Sequence, residues 1–284
     1  MPGRPVKPAP LTSFADRVAV ITGGGSGIGR ALALAFAREG AHVVAADLDE
    51  AAMAETCGAV QALGRGALAV RTDVSDLAQV EVLADRAYRR FGVVHLLCNN
   101  AGVAVSGGLE RATRQDWQWL IGVNLWGVIH GLLAFLPRMI AQGPGGHVLN
   151  TASMAGLVAS QGLGVYNTTK YAVVGLSETL AKDLRPHGIG VSVLCPMGVA
   201  TRIGEAERSR PAALRDPAGR ERAPSVQLIG RTLTAEEVAE QALAAIRERE
   251  LYVITHEEGL EPLRRRCQRL EAAVKRCAGK GGPS

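Results

Sequence analysis

Several features are missing from this sequence, and each absence narrows what the chain can be. No run of about 18 or more uninterrupted apolar residues occurs, so no membrane span is expected. The opening, Met1 to Pro10, carries Arg4 and Lys7 and several prolines but no apolar stretch, which excludes a secretory signal. Residues 1–13 read instead as a disordered tail. The five cysteines (Cys57, Cys98, Cys195, Cys267 and Cys277) are scattered without metal-site spacing, so no metal is expected. Cys98 and Cys195 end apolar, strand-like runs, where a reduced thiol behaves as a small hydrophobe, and a cytoplasmic compartment fits. Internal repeats are absent. So is a basic body: the net charge is +5, but residues 262–284 hold seven basic residues against one acidic, leaving −1 elsewhere. No nucleic-acid partner is expected.

What remains is ample for one α/β domain. The chain has 284 residues, 47% of them apolar, and one alternating strand–helix series spans residues 14–260. Arg17–Thr22 is a short apolar, β-branched run, hence a buried strand. It leads into Gly23, Gly24, Gly25, Ser26, Gly27, Ile28 and Gly29, then a helix from Arg30 to Arg38. Glycines allow positive φ and close approach of a ligand, and the helix N-terminus offers free N–H groups to a pyrophosphate. No Gly-Lys-Ser/Thr follows, which excludes a Walker-type phosphate loop. A purely structural turn would look the same.

The second strand, Ala41–Ala46, ends on Asp47, roughly 20 residues past the glycines, where a carboxylate can bind the ribose 2′-hydroxyl of NAD. The same charge repels a 2′-phosphate. Neither Ser26 nor Leu48 is basic, as NADP would favour, so NAD is the expected cofactor. Capping of a helix over Asp49–Leu63 is the alternative role for Asp47. After a third strand, Ala67–Thr72, Asp73 and Val74 fall where an adenine ring would rest. Ser75 then caps a helix with Gln79, Leu83 and Ala87 on one face.

The fourth strand, Val93–Cys98, ends in Asn99, Asn100, Ala101 and Gly102. Paired asparagines leaving a buried strand either tie strand ends together or form a turn. Thr113–Asp116 resembles a capping box opening a long helix to about Ile140, which Pro137 is expected to bend or stop. Asn124 sits mid-helix, where Asn is disfavoured, as a satisfied core amide or a functional one. A fifth strand, His147–Thr151, precedes Ser153. A helix over Tyr166–Leu184 stacks Tyr166 and Lys170 one turn apart on one face. An ammonium beside a phenol lowers its pKa, and a phenol so tuned exchanges protons with a substrate oxygen. Chance supplies many such pairs, so this one draws its weight from its context.

Ile189–Leu194 is the sixth strand and leads to Cys195, Pro196, Met197 and Gly198. Residues 200–231 are rich in Arg, Glu, Pro and Ala with little periodicity, and read as a structureless lid or substrate loop. Thr234 and Glu237 cap a helix to about Arg249, and Leu251–Thr255 is a last strand. The basic segment 261–284 reads as a solvated tail, with an amphipathic helix or an oligomer contact as alternatives.

Strands alternating with helices argue for a doubly wound, Rossmann-like parallel sheet with helices on both faces and ligands outside the strands' carboxyl ends. Together, Thr22–Gly29, Asn99–Gly102, Asn124, Ser153, Tyr166–Lys170 and Pro196 with Val199 and Thr201 resemble the short-chain dehydrogenase/reductase family from about Phe14 to Thr255. The resemblance implies that Tyr166 is the general acid/base and that Ser153 holds the same substrate oxygen. It implies that Lys170 lowers the phenol's pKa and binds the nicotinamide ribose, and that Asn124 holds a water in a proton relay through Lys170. Gly23, Gly27, Ile28 and Gly29 would wrap the pyrophosphate and adenosine half, Asn100 and Ala101 the ribose region. Val199 and Thr201 would lie near the carboxamide. One departure stands out: the family usually has Gly directly after the loop proline, where this chain has Met197 followed by Gly198.

Residues expected to border the reacting carbon are Met154, Leu157, Leu163, Val165 and Met197, with Ala104 and Val105 opposite. They are apolar, which points to a lipophilic secondary alcohol or ketone: terpenoid, steroid, aryl or alicyclic. Arg202, Arg208 and Arg210 in the lid leave a carboxylate-bearing substrate open. The expected activity is that of an NAD-dependent alcohol dehydrogenase. An NADPH-dependent carbonyl reductase and a non-catalytic dinucleotide-binding regulator are the alternatives; Asp47 argues against the first, the intact Tyr166 and Lys170 against the second. The resemblance further implies a homodimer or homotetramer assembled through the helices Thr113–Ile140 and Tyr166–Leu184.

Overall fold

The computed structural model describes residues 11–143, 145–215 and 230–278. Seven parallel strands form one sheet in the order β3-β2-β1-β4-β5-β6-β7. They are β1 Val18–Thr22, β2 His42–Asp47, β3 Ala67–Arg71, β4 Leu96–Asn99, β5 His147–Thr151, β6 Gly190–Cys195 and β7 Tyr252–Ile254. Every residue of β1, β4, β5 and β6 is buried, as a parallel sheet covered on both faces requires. Strand order reverses between β1 and β4, whose register pairs Ile21 with Cys98. The carboxyl ends Thr22 and Asn99 therefore flank the crevice where such folds bind ligands.

Helices α1 (Gly27–Arg38) and α7 (Ala235–Glu248) cover one face, with Leu32, Phe36, Val238 and Ile246 in one apolar cluster. α3 (Leu77–Phe91) and α5 (Gly127–Ala141) cover the other, with Val80, Leu83, Phe135 and Met139. α2 (Glu50–Ala62), α4 (Arg114–Ile121), α6 (Gly164–Asp183) and α8 (Leu260–Ala278) complete the set among the described residues. The single doubly wound domain matches the reading of the sequence.

Several local expectations fail for identifiable reasons. Asp76, not Ser75, caps α3: its carboxylate accepts from the Ala78 N–H, while Ser75 is bound by Asp73. The long helix from Thr113 is interrupted by a π turn, Gly122–Trp126, between α4 and α5. Pro137 neither stops nor ends α5, which continues to Ala141. It sits on the solvent face, where water can satisfy the carbonyl it strands at exposed Leu133. Within Arg114–Ala141, an 18-residue window has the mean hydropathy, 1.7, of a bilayer-crossing helix, yet half of that window is buried inside the molecule. Its apolarity serves the core.

The termini differ from expectation as well. Leu11 is buried and its N–H donates to the Arg247 carbonyl, so the domain begins before residue 14; residues 1–10 lie outside the described residues. Residues 260–278 form α8 rather than a solvated tail. Leu260, Leu263, Cys267, Leu270 and Val274 recur at helical spacing among the arginines, and Leu263 packs with Met154, Met197 and Leu251. The lid is not structureless either: short 3₁₀ helices span Arg202–Ser209 and Ala212–Leu214, while residues 216–229 of the predicted loop lie outside the described residues.

Candidate active site

The glycine turn after β1 is held by steric necessity. A Cβ on Gly29 would fall 2.0 Å from the Gly23 carbonyl oxygen, and Gly23 itself has φ +67° against the backbone of Ala101. Ser26 precedes α1 in extended conformation and makes no side-chain cap, so the first N–H groups of the helix stay free for an anion. Across the switch point, Asn100 ties three strand ends together. Its Nδ2 donates to the Thr22 carbonyl at 3.0 Å, and its Oδ1 accepts from the Thr151 hydroxyl at 3.2 Å. The Thr22 hydroxyl in turn accepts from the N–H groups of Asn100 and Ala101. Neighbouring Asn99 bonds Asn150 between β4 and β5. These amides confirm the strand-tying role expected of the pair.

A cleft of about 540 Å³ opens over these strand ends. Asp47, Leu48, Asp49, Asp73 and Val74 line its β2–β3 end; Gly23, Ser26, Gly27 and Ile28 line its floor. Asn100, Ala101 and Gly102 continue the floor toward Tyr166, Lys170, Pro196 and Thr201. The Asp47 carboxylate is held by three backbone N–H groups: Gly25 at 3.0 Å on Oδ2, Leu48 at 2.8 Å and Asp49 at 3.2 Å on Oδ1. Lone pairs remain on Oδ2 for a vicinal diol. A free helix N-terminus, a glycine turn that a side chain would fill and an acceptor at the far end together fit a dinucleotide. Gly25 borders an adjoining groove with Arg30 and Arg202 rather than the cleft itself. Gly29 is buried in the turn, while Gly198 and Val199 pair with Leu233 and face away from the cleft lining.

At the other end, Lys170 is 2% exposed and its Nζ donates to the Thr151 carbonyl at 2.8 Å. It lies 5.5 Å from the centroid of the Tyr166 ring. Burial lowers the Lys170 ammonium to about 8. Burial pushes the Tyr166 phenol up to about 12, against the pull of its hydrogen bond with Ser153. Burial therefore works against the lowering of the phenol expected from Lys170, whose ammonium is aimed at the Thr151 carbonyl. Ser153 follows β5; its hydroxyl accepts from the Ala155 N–H and donates at 3.3 Å to the Pro196 carbonyl.

Asn124 lies in the π turn, fully buried, and its side chain is committed to structure. Nδ2 donates to the Val103 carbonyl and the Thr169 hydroxyl, while Oδ1 accepts from the Val103 N–H. Its amide does not border the cleft, so the relay expected of it has no support from that side chain. A position above Gly102 lies 3.5 Å from both Asn124 Oδ1 and Lys170 Nζ, so the two do converge.

The predicted substrate residues divide into two groups. Leu163 and Val165 join Tyr166, Trp119 and Val103 in one cluster, with Ala104 and Val105 against it. Met154, Leu157 and Met197 pack in another, with Val173, Val193 and Leu263. Neither predicted group lines the cleft: Leu163, Val165, Ala104 and Val105 pack behind Tyr166 and Trp119, and Met154, Leu157 and Met197 pack on the other side. Met154 meets Gly259, and the N–H of Met197 points to His256 Nδ1, whose Nε2 reaches the Gly198 carbonyl at 3.0 Å. His256 thus shapes the departing loop, and no sequence pattern marked it. Trp119 and Val123 do line the cleft, with Ile203 and Ala206 from the lid. The i, i+4 spacing of Trp119 and Val123 was their only signal.

The chain matches the family model for short chain dehydrogenases over residues 17–212. It is 44% identical to a short chain dehydrogenase/reductase of Burkholderia phymatum solved in complex with NAD, with TM-score 0.85 over 92% of this chain and 96% of that one. It is 36% identical to the C alpha-dehydrogenase of Sphingobium sp. strain SYK-6 over 93% of this chain and 88% of the relative. It is 40% identical to the 1-deoxy-11-beta-hydroxypentalenate dehydrogenase of Streptomyces exfoliatus over 65% of this chain and 68% of the relative. Cleft, strand order and relatives agree: the chain belongs to the short-chain dehydrogenase/reductase family and is an oxidoreductase.

Proposed function

We propose that this oxidoreductase is an NAD-dependent dehydrogenase that interconverts a lipophilic secondary alcohol and its ketone. The observation carrying the proposal is one continuous cleft with the Asp47 carboxylate at one end and Tyr166 beside Lys170 at the other. Bound NAD would accept the hydride from the carbinol carbon, which is the chemistry the nucleotide supplies. The free N–H groups of α1 would hold its pyrophosphate and Asp47 the adenosine ribose, while Thr201, set against Gly27, would border the pyrophosphate rather than the carboxamide expected from the sequence. Tyr166 accepts the hydroxyl proton as the alcohol becomes a ketone, and returns it in the reverse direction. Ser153 holds the same oxygen. The positive charge of Lys170 favours the phenolate over the phenol that burial alone would enforce.

The substrate class rests on the lining. Val103, Trp119, Val123 and Ala152 beside Tyr166, and Ile203 and Ala206 of the lid, are apolar, while Arg202 and Arg208 line the lid's polar side. A solved complex with NAD and relatives bearing dehydrogenase names support the same reading. The NADPH-dependent reductase remains as a second reading because Arg30 and Arg202 line the groove beside Gly25 and Ser26. Against it, Arg30 is paired with Glu55 at 3.1 Å and Asp47 faces the same region. Calorimetric titration with NAD and NADP decides between them. NAD should bind preferentially, and Asp47→Ala should narrow that preference about tenfold by removing one charged hydrogen bond. A preference for NADP in the unmodified protein would overturn the cofactor assignment.

A further inference from the structure

Between Thr201 and Arg215 only Ala206 and Arg210 are buried, and they lie four residues apart, with Leu214 packed against the apolar cluster that holds Trp119. Arg210 is the buried polar tie between the lid and α4. Its guanidinium is fully buried and sits 2.8 Å from Asp116 Oδ1 and 3.1 Å from Glu207 Oε1. Nε donates to the Leu214 carbonyl at 2.6 Å, and Cζ lies 4.9 Å from the centroid of the Trp119 ring. One side chain therefore joins both short helices of the lid to the first turn of α4, where Asp116 also completes the Thr113 capping box.

Stability is a poor explanation for this arrangement. A buried ion pair roughly breaks even against apolar packing, and Nη2 of Arg210 is buried without a hydrogen-bond partner. Geometry is the better one. A planar guanidinium with two carboxylates, a carbonyl and an indole face fixes distance and orientation together. Trp119 beneath it lines the cleft and shares an apolar cluster with Tyr166, Val103 and Ala206.

We propose that Arg210 is a positioning residue for substrate selectivity: it bolts the lid to α4 and holds Trp119 as the cleft wall beside Tyr166. The substrates so favoured are ring-bearing secondary alcohols whose carbon skeleton packs against the indole. The choice of substrate rests on the dehydrogenase reading; the bolt does not. Arg210→Met keeps side-chain length while removing charge and fork, and Arg210→Lys keeps charge alone.

Two readouts test the idea. With NAD saturating, Arg210→Met should raise KM for a bicyclic secondary alcohol about tenfold, while kcat, and KM for the small alcohol sec-butanol, stay within about twofold. Lys at this position should not rescue it. In hydrogen exchange, amides of residues 202–214 should exchange faster in Arg210→Met while those of β1 and β4 stay protected. An equal rise in KM for both alcohols, or unchanged exchange over 202–214, would overturn the proposal. If Arg210→Met does not fold, Arg210→Lys must show the same selective rise in KM and the same faster exchange over 202–214, and unmodified behaviour of Arg210→Lys overturns it. Absence of turnover with any secondary alcohol in the unmodified protein would defeat the dehydrogenase reading, and lid exchange would still decide the bolt.

Discussion

The ammonium of Lys170 is fixed in place by the fold itself, through the carbonyl of Thr151 at the end of β5. Burial sets its ordinary charge against its surroundings and lowers its pKa to about 8. The phenol it serves is pushed the other way, up to about 12. Alcohol oxidation needs the phenolate, so its rate should rise with pH, and the cation determines where. Lys170→Met should move that rising limb to higher pH by about one unit or more, read from kcat profiles. An unmoved limb would remove the electrostatic role. Tyr166→Phe should lower turnover by about 10²–10⁴-fold while calorimetry shows NAD affinity unchanged. At this scale the sequence was legible wherever a residue's chemistry forces its place, as with Asp47, Asn100 and Tyr166. It misplaced Met154 and Met197, because nearness in sequence to Ser153 and Pro196 does not say which side of a loop a side chain takes. Both pack into the apolar cluster that Leu263 of α8 also joins, a helix the sequence offered only as an alternative to a tail.

Among the elements, the π turn Gly122–Trp126 is the one that most affects the site. One extra residue per turn shifts the face that α5 presents relative to α4, and it lodges Asn124 where its amide clamps the backbone of Val103 from both directions. The residues on either side are apolar nearly all round, so the phase slip left no trace in the periodicity. Only the misfit of Asn in a helix hinted at it. Asn124→Ala would strand the Val103 N–H and carbonyl in a buried place, at a cost of about 1–3 kcal/mol for each unsatisfied group. Calorimetric unfolding should show Tm lowered by about 2–4 °C per kcal/mol for a domain of this size. An unchanged Tm would mean that water reaches Val103. α8 carries a different lesson: four arginines in six positions from Arg264 to Arg269 masked a repeat of apolar residues on one face.

The molecule as a whole presents two unlike exteriors. Its C-terminal helix gathers the excess positive charge, while the outer side of the π turn and α5 exposes Trp126 at 48% and Leu133 at 56%. Leu125, Ile129 and Leu136, partly buried, lie along the same side at helical spacing. We propose self-association through this face into a dimer or tetramer, since exposed apolar helix faces mark such contacts. Leu133→Glu should shift the sedimenting species to a smaller mass without loss of the folded far-ultraviolet spectrum. A single monomeric species before and after the change would refute the interface. The parallel sheet and its two helical layers were readable at this scale because alternating strands and helices admit few topologies. The surface that meets a partner was readable only as far as the helices that carry it.

The three backbone N–H groups gathered by the Asp47 carboxylate bear on how such a protein could change its nucleotide. Any replacement that merely removes the negative charge also releases the amides of Gly25, Leu48 and Asp49, loosening the turn that cradles the pyrophosphate. Asparagine alone keeps the length and one accepting oxygen while giving up the charge. A lineage or a designer moving from one nucleotide to its phosphorylated counterpart would therefore pass first through Asp47→Asn, and only then recruit a cation at Ser26 or Leu48.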